Sequence, residues 1–347
     1  MGNLKPVVGD IDGDDTAKAG KTEPTDLTRL IQDVLSELGA SADAAAVAAG
    51  VRRLDIGLPT EDEFSVICAW LGKCQLLHKL DQLQVPVDSK QKFQVPDLLA
   101  RFSTQINESP VLIEVKSKKD KRLTFKEDYL ARLQSYADLV RMPLLVAWKY
   151  EGIWALFEVK HMKKSGASFR ISFETAMKES LLSALVGDVA YKIGAGAGIH
   201  LRFRKDKQLG AKETEDGYSE EWLMHLDDVA FTDRDGNRRD DLDDEVQSLF
   251  TAWNLEQNEE HTGSHVQVRF VAGDEGIEFA HKALVQLLDW EEPHDGRPHW
   301  RKLLRKEKVT ANVRNFSAAL KTGLRQRVVA QVFEFEPHDM PAFLRRR

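Results

Sequence analysis

Cysteines and long apolar runs are both scarce in this chain. Of its 347 residues only Cys68 and Cys74 are cysteines, too few for a disulfide framework or a cysteine-rich zinc site. No stretch approaches the roughly 18 consecutive apolar residues of a membrane-spanning helix. Residues 1–21 lack the apolar core of a signal peptide. These absences predict a reduced, cytoplasmic protein with no membrane partner.

An excess of positive charge is also missing. The chain has 49 Lys+Arg against 56 Asp+Glu, a net charge of −7, which argues against a protein that coats nucleic acid nonspecifically. The distribution is uneven, because residues 212–261 carry 4 Lys or Arg against 17 Asp or Glu, whereas residues 297–347 carry 13 against 4. We interpret the acidic segment as a solvated face with a loop; imitation or repulsion of nucleic acid, or binding to a basic partner, are the alternatives. The basic tail is the better candidate for contact with a nucleic-acid backbone or an acidic partner.

The apolar pattern divides the chain into three parts. Residues 1–58 are interpreted as a disordered polar leader followed by a helical appendage, since apolar residues recur at helical spacing from Leu27 onward. Residues 59–165 form the central part, which ends at a polar, Gly-containing break. Residues 166–347 form the third part.

The central part alternates between helical and strand-like patterns. A capping box at Thr60 predicts the start of a helix that extends to about Leu80. Short apolar runs after it predict strands, with one helix between the second and third. The order predicts an α/β fold, a mixed sheet flanked by helices. The predicted strands are 93–102, 111–117, 143–148 and 153–159, and the predicted helix is 126–139.

The third part has a mixed pattern that predicts an α+β domain for recognition, assembly or regulation. Its predicted helices are 174–186, 240–252, 276–290 and 310–322, and its predicted strands are 199–204, 265–272 and 327–335.

Acidic residues accompany two neighbouring apolar runs of the central part. Asp97 lies in the sequence Val-Pro-Asp-Leu-Leu-Ala-Arg-Phe, and Glu114 and Lys116 lie in Val-Leu-Ile-Glu-Val-Lys-Ser. Because side chains alternate along a strand, Glu114 and Lys116 share a face, and Asp97 can join them if the two strands pair. Two carboxylates and an ammonium group are costly to bury together without a ligand. A hard divalent cation such as Mg²⁺ removes that cost.

These motifs resemble those of the PD-(D/E)xK nuclease superfamily. The resemblance rests on Pro96-Asp97, the 17-residue step to Glu114, and the tripeptide Glu114-Val115-Lys116. The layout of the central part is similar to that of archaeal Holliday-junction resolvases and related Mg²⁺ nucleases, over about 100 of the 347 residues. The resemblance implies a restriction-endonuclease-like fold and an Mg²⁺- or Mn²⁺-dependent endonuclease, with DNA favoured over RNA as the substrate.

The resemblance also implies roles for individual residues. Asp97, Glu114 and the Val115 carbonyl would hold the metal, which would lower the pKa of a bound water. Lys116 would orient that water or stabilise charge at the phosphate.

Two further assignments follow from the family pattern less directly. Glu63, on the first helix, is matched to a glutamate that the family places there. Resolvase-like proteins often carry a glutamine on the helix after the Glu-x-Lys strand, and that place falls here near Asp128 or Tyr129. The nearest glutamine is Gln134, so either Gln134 takes this role or the chain belongs to a different branch.

A basic loop follows the Glu-x-Lys strand directly. Because it leaves a strand of the site, it is well placed to meet phosphates. A solvated charge run that includes Asp120 is the alternative. The candidate nucleic-acid contacts are Lys118, Lys119, Lys121 and Arg122.

A second tripeptide, Glu158-Val159-Lys160, tests how specific the motif is. It also ends an apolar run, but the preceding run from Pro143 to Trp148 carries no acidic residue. For Glu114 and Lys116 the alternative to a metal site is a purely structural pair, an exposed Glu–Lys contact on an edge strand. Such a pair is worth only about 0.5 kcal/mol.

We therefore predict a nuclease, either an effector in prokaryotic antiviral defence or a repair or recombination endonuclease. It is expected to form a homo-oligomer or a complex with partner proteins. The alternatives are a catalytically degenerate scaffold with a nuclease fold, and a regulatory subunit that docks through the basic tail.

Overall fold

The structure is a computed structural model of the chain. It describes residues 60–81, 86–104, 110–214, 217–291, 303–304, 312–313 and 315–345. Contacts divide the chain into two units, residues 1–54 and residues 55–347. The predicted leader and helical appendage, residues 1–58, lie outside the described residues.

A five-stranded mixed sheet forms the centre of the region that was predicted as the nuclease domain. Its strand order is β1-β2-β3-β5-β6, and only the pair β3–β5 is parallel. The sheet and its flanking helices confirm the predicted α/β class. The strands are β1 (Cys74–Lys79), β2 (Leu98–Phe102), β3 (Val111–Ser117), β5 (Leu144–Tyr150) and β6 (Ile153–Glu158), and the helices are α1 (60–71), α2 (Ser89–Lys92) and α3 (Glu127–Val140).

The two faces of this sheet belong to different apolar cores. Ile113 and Val115 of β3 point to the core that contains α1. Leu112, one position away, points to the core that contains α3. By this alternation Glu114 and Lys116 lie on the α3 face.

The helix predicted from Thr60 to about Leu80 is wrong in its second half. It ends at residue 71, and Gly72 has a φ of +107°, the left-handed conformation that commonly stops helices. A side chain at Gly72 would also meet Asn315. Residues Cys74–Lys79 then form β1, because a short apolar run fits a strand as well as a helix.

A small three-stranded sheet covers the α3 side, in the order β4-β8-β7. It was not expected, since its strands are short and polar on one face. Its strands are β4 (Arg122–Lys126), β7 (Lys163–Ser165) and β8 (Ser168–Ser172).

The remaining residues add an antiparallel five-stranded sheet, β12-β11-β10-β14-β13, and a three-stranded sheet, β15-β9-β16. The predicted helices are present but shorter, and parts of two of them are 3₁₀ or π segments. The strands are β9 (Ala190–Ile193), β10 (Gly198–Thr214), β11 (Gly217–Thr232), β12 (Arg238–Arg239), β13 (Glu256–His261), β14 (His265–Val271), β15 (Glu278–Phe279) and β16 (Val329–Phe333). The helices are α4 (Phe173–Lys178), α5 (Asp244–Gln247), α6 (Ala280–Glu291) and α7 (Phe316–Arg325), with a π segment at Leu182–Val186 and 3₁₀ segments at Val159–His161, Ser248–Ala252 and Ala342–Leu344.

Part of the acidic segment that was interpreted as a solvated face with a loop forms a long hairpin. Strands β10 and β11 pair along their whole length, whereas β14 reaches only as far as Arg204. The outer half of the hairpin is therefore a two-stranded ribbon with both faces open to solvent, which explains why it lacks the apolar alternation of a half-buried strand.

One apolar core continues across residue 165. It includes Ile67 and Leu156 on one side and Leu249 and Leu320 on the other. A buried hydrogen bond also joins the two sides of residue 165, since the Trp154 backbone N–H donates to Nε2 of His281 at 3.1 Å. The predicted domain boundary at residues 165 and 166 stays a prediction. Among the described residues, none of the helices has both the length and the apolarity needed to cross a membrane.

Candidate active site

The pairing of β2 with β3 places Asp97 beside Glu114. Leu98 lies opposite Ile113 in this antiparallel register, so Asp97, one residue before β2, comes level with Glu114 on the same face. Oδ2 of Asp97 accepts a hydrogen bond from the backbone N–H of Val115 at 2.7 Å. The two carboxylates that the sequence predicted to converge therefore do so.

Glu114 is fully buried, with an exposed fraction of 0%. Its Oε1 accepts hydrogen bonds from Nζ of Lys116 and from the hydroxyl of Tyr129. Its Oε2 is also buried but has no hydrogen-bond partner within the described part of the chain. A buried carboxylate oxygen without a partner is costly, so this atom marks a place where a ligand would be stabilising.

Burial changes the protonation of both carboxylates. It raises the pKa of Glu114 to about 7, and the nearby Asp97 contributes, while Lys116 opposes the shift. Burial also raises the pKa of Asp97, again against the effect of Lys116. Burial thus favours the protonated form of both carboxylates, and a bound cation would oppose that effect.

Lys116 lies between the two carboxylates. Its Nζ contacts Oε1 of Glu114, lies 3.9 Å from Oδ2 of Asp97, and donates to the Val115 carbonyl at 3.1 Å. Period-2 alternation along β3 produces this arrangement, because it puts Glu114 and Lys116 on one face.

Tyr129, in the first turn of α3, completes the group of side chains around Glu114. It stands at one of the two positions, Asp128 or Tyr129, where the family pattern would place a glutamine. Burial and the neighbouring Glu114 both raise the pKa of its hydroxyl, which therefore remains a hydrogen-bond donor. The family pattern pointed to this position but not to this role, since a tyrosine on a helix usually indicates packing.

Glu63 lies on the other face of the sheet. Its Oε1 accepts from Nε1 of Trp154 at 3.0 Å and its Oε2 pairs with Lys149, and both partners belong to the α1 side. Its matching to the family's helical glutamate stays a prediction.

Glu61, two residues earlier on α1, has a closer relation to the site. Burial raises the pKa of Glu61, and the proximity of Asp97 raises it further. Lys79 of β1 lies 3.2 Å from Oε2 of Glu61 and also acts on the pKa of Asp97. The capping box contains both glutamates, so the sequence alone did not distinguish them, and the electrostatic effect of Asp97 is what links Glu61 to the site.

Gln134 lies on an exposed side of α3, away from Tyr129. It lines a surface groove together with Lys160 and Met162. Its predicted catalytic role remains a prediction, with no contact to Asp97 or Glu114 among the described residues.

The predicted nucleic-acid contacts Lys118, Lys119, Lys121 and Arg122 are all exposed in the β3–β4 loop and at the start of β4. The loop is held by the backbone, because the N–H of Lys118 donates to the Lys149 carbonyl at 3.2 Å. Their side chains are therefore free to meet an anion next to the end of β3.

The donor set suits a hard divalent cation. No cluster of three or more His, Cys, Asp and Glu side chains with metal-site geometry occurs in the described ranges. What is present is Asp97, the unpartnered oxygen of Glu114 and the Val115 carbonyl, and Mg²⁺ commonly uses one or two carboxylates and completes its shell with water and phosphate.

The chain is similar to known proteins over part of its length. None of the curated proteins compared with the chain matches it. Among solved structures the chain is similar to Hjc from Archaeoglobus fulgidus, a Holliday junction resolvase from an archaeal hyperthermophile, at 21% sequence identity. That similarity covers 33% of this chain and 85% of that one, with a TM-score of 0.25. The family model described as archaeal Holliday junction resolvase (hjc) matches residues 85–192. This segment holds Asp97, Glu114, Lys116 and Tyr129, and its match confirms the predicted resemblance to a nuclease family, that of the archaeal Holliday junction resolvases.

Proposed function

We propose that the chain is a metal-dependent nuclease that hydrolyses phosphodiester bonds in DNA. The observation that carries this proposal is the convergence of Asp97, Glu114 and Lys116 on one face of the sheet, with Oε2 of Glu114 buried and unpartnered among the described residues. The match of residues 85–192 to a resolvase family supports it and favours DNA as the substrate.

Asp97 and Glu114, with the Val115 carbonyl, would hold Mg²⁺ or Mn²⁺. When bound, the ion supplies Lewis-acid stabilisation of the phosphate and a water of lowered pKa. The Val115 N–H fixes the orientation of Asp97, and the Tyr129 hydroxyl fixes that of Glu114. Each carboxylate is therefore held in place through one of its oxygens.

Lys116 would act on the phosphate and on the attacking water. Its ammonium already lies within contact of both carboxylates, so it can add positive charge where the pentavalent phosphate develops negative charge. A compact ammonium suits this role better than a planar guanidinium.

The proposal is tested by incubating the full chain with plasmid DNA in Mg²⁺, in Mn²⁺ and in excess chelator. We expect cleavage in either metal, none with chelator, and a loss of about 10³-fold for Asp97→Asn. Cleavage that persists in chelator, or that is unchanged in Asp97→Asn, would contradict the assignment.

A degenerate scaffold is the competing function. It predicts nucleic-acid binding without cleavage in any divalent metal and with no dependence on Asp97. Substrate comparison separates the remaining possibilities, since a repair or recombination enzyme is expected to prefer four-way junctions over linear duplex. A defence effector would cut unbranched foreign DNA.

We also propose that the nuclease works as a dimer or larger assembly, because two strands must be cut. Sedimentation of the full chain with and without DNA measures this directly, and a monomer in both states would contradict it.

A further inference from the structure

The charged side chains on the outer face of the small β4-β8-β7 sheet are all basic. The register pairs Arg122 with Ser172, Thr124 with Arg170, and Arg170 with Lys163, so these side chains share one face. Lys126, opposite Ser168, lies on it as well. The face thus holds four cations, Arg122, Lys126, Lys163 and Arg170, and its other positions are serine or threonine.

The opposite face fixes this surface in place. Leu123, Phe125 and Ile171 are buried in the same core as α3. The cations are therefore presented by strands rather than by a loop, and their spacing is set by the sheet.

Carboxylates do not neutralise this face. Each of the four cations is exposed, and none has an ion-pair partner within the described residues. Of the acidic residues that border the sheet, Glu127 pairs with Lys164, and Asp120 accepts from the backbone N–H of Arg122. By contrast, exposed arginines of the β10–β11 sheet, such as Arg202, Arg204 and Arg238, each pair with an acid. Four uncompensated cations on one face are complementary to a polyanion.

The dimensions fit a nucleic-acid backbone. With a rise of about 3.3 Å per residue, Arg122 and Lys126 lie about 13 Å apart along β4. Strand spacing of about 4.8 Å puts Lys163 about 10 Å away across the sheet. Lys, Arg, Ser and Thr are the residues that contact phosphate oxygens in protein–DNA interfaces.

The strand that carries part of this face adjoins the helix that carries Tyr129. Strand β4 leads directly into α3, and the ring of Phe125 on the buried side of β4 lies 5.8 Å from that of Tyr129. Tyr129 in turn donates to Glu114. Lys126, the last residue of β4, thus lies three residues before a side chain of the proposed site.

We propose that this face binds the phosphate backbone of duplex DNA next to the scissile strand, without reading its sequence. That the ligand is DNA rests on the proposed function. The charge and geometry of the face are independent of that function. Lys126, Lys163 and Arg170 are the residues that this adds to the basic loop.

The test measures binding of the full chain to a fluorescent 30-base-pair duplex in chelator, over a series of salt concentrations. We expect the triple variant Lys126→Ala/Lys163→Ala/Arg170→Ala to bind about tenfold more weakly at low salt. The slope of log affinity against log salt should also fall by about 2–3, at roughly 0.9 per lost phosphate contact. The loss of affinity should be the same for duplexes of unrelated sequence.

Two control variants make the result specific. Arg204→Ala/Lys207→Ala/Lys212→Ala removes the same charge from the hairpin and should leave the slope unchanged. The charge-conserving variant Lys126→Arg/Lys163→Arg/Arg170→Lys should keep the slope of the wild type. An unchanged slope in the alanine variant of the face, or an equal loss in the hairpin control, would overturn the proposal.

The two proposals fail separately. If the chain binds duplex through this face but never cleaves, the nuclease function fails and the surface stands. If it cleaves normally while the alanine variant binds as the wild type does, only the surface proposal fails.

Discussion

The same tripeptide, Glu-Val-Lys, occurs at the ends of two strands of one sheet, in very different surroundings. Glu114-Val115-Lys116 lies on β3, the central strand, and Glu158-Val159-Lys160 lies at the end of β6, an edge strand. Register puts Glu114 level with Asp97, whereas Glu158 lies opposite Leu145. Lys160 pairs with Glu158 and Asp339 near the surface. The neighbouring strand, rather than the tripeptide, therefore makes the candidate site.

The central position also sets the electrostatics. Glu114 is covered on all sides, and its pKa rises to about 7 through burial. The Glu158 side chain keeps 19% exposure at the edge. Solvent at an edge strand weakens a charge pair, and the low dielectric of the centre strengthens every interaction with Glu114.

The largest effect is expected from removing each lysine in turn. Lys116→Ala should reduce cleavage about 10³-fold, because it removes the only cation in contact with both carboxylates among the described residues. Lys160→Ala should leave the rate within about twofold, since an exposed pair is worth little. Single-turnover cleavage rates measure both, and equal losses would erase the distinction between the two tripeptides.

The next effect concerns stability. The folded-state pKa of Glu114 lies above its ordinary value of 4.5, so its favourable contribution is complete below about pH 4.5 and is lost as pH rises through about 7. Glu114→Gln removes this loss of stability at high pH, because glutamine does not ionise. In chelator, the free energy of unfolding of this variant relative to the wild type should increase by about 2–3 kcal/mol between pH 5 and pH 8.

Glu158→Gln is the matched control for that experiment, because it makes the same substitution in the second tripeptide, where the side chain is 19% exposed. Urea unfolding at a series of pH values provides the measurement. A flat difference for Glu114→Gln would mean that the carboxylate is solvated.

Substitutions of the two glutamates of α1, Glu61 and Glu63, should have different effects on cleavage and on stability. Glu61→Gln is expected to lower cleavage about tenfold, because Glu61 lies near Asp97. Glu63→Gln should leave cleavage within about threefold but destabilise the fold by about 1–3 kcal/mol, since Lys149 loses its partner. If Glu63→Gln lowers cleavage and Glu61→Gln only lowers stability, Glu63 has the catalytic role predicted from the sequence.

The smallest effect is expected at Tyr129. Its hydrogen bond lowers the pKa of Glu114, so Tyr129→Phe should raise that pKa further and move the acidic limb of the cleavage profile to higher pH. At pH 7 the rate should be several-fold lower. Tyr136→Phe on the same helix is the control, and a shift of the profile in that variant as well would indicate a general effect on α3.

The sequence predicted β3 and β5 to within two residues, because they are apolar runs between clear breaks. The strand predicted from residue 93 begins only at Leu98, so Asp97 precedes β2 instead of lying in it. The sequence placed Asp97 and Glu114 on one face because strand period and pairing determine that relation. It did not find β1, because Gly72 ends α1 within a pattern that also fits a continuing helix. It did not identify Tyr129 or Glu61, since their roles depend on tertiary proximity to Glu114 and Asp97.

The apolar core that continues across residue 165 has a practical consequence for shortened versions of the protein. A fragment that stops at residue 165 would leave Ile67 and Leu156 without the side chains that cover them, and His281 would no longer accept from Trp154. Such a fragment is expected to aggregate on expression rather than behave as a minimal nuclease. Limited proteolysis of the intact protein should correspondingly fail to release it as a stable product.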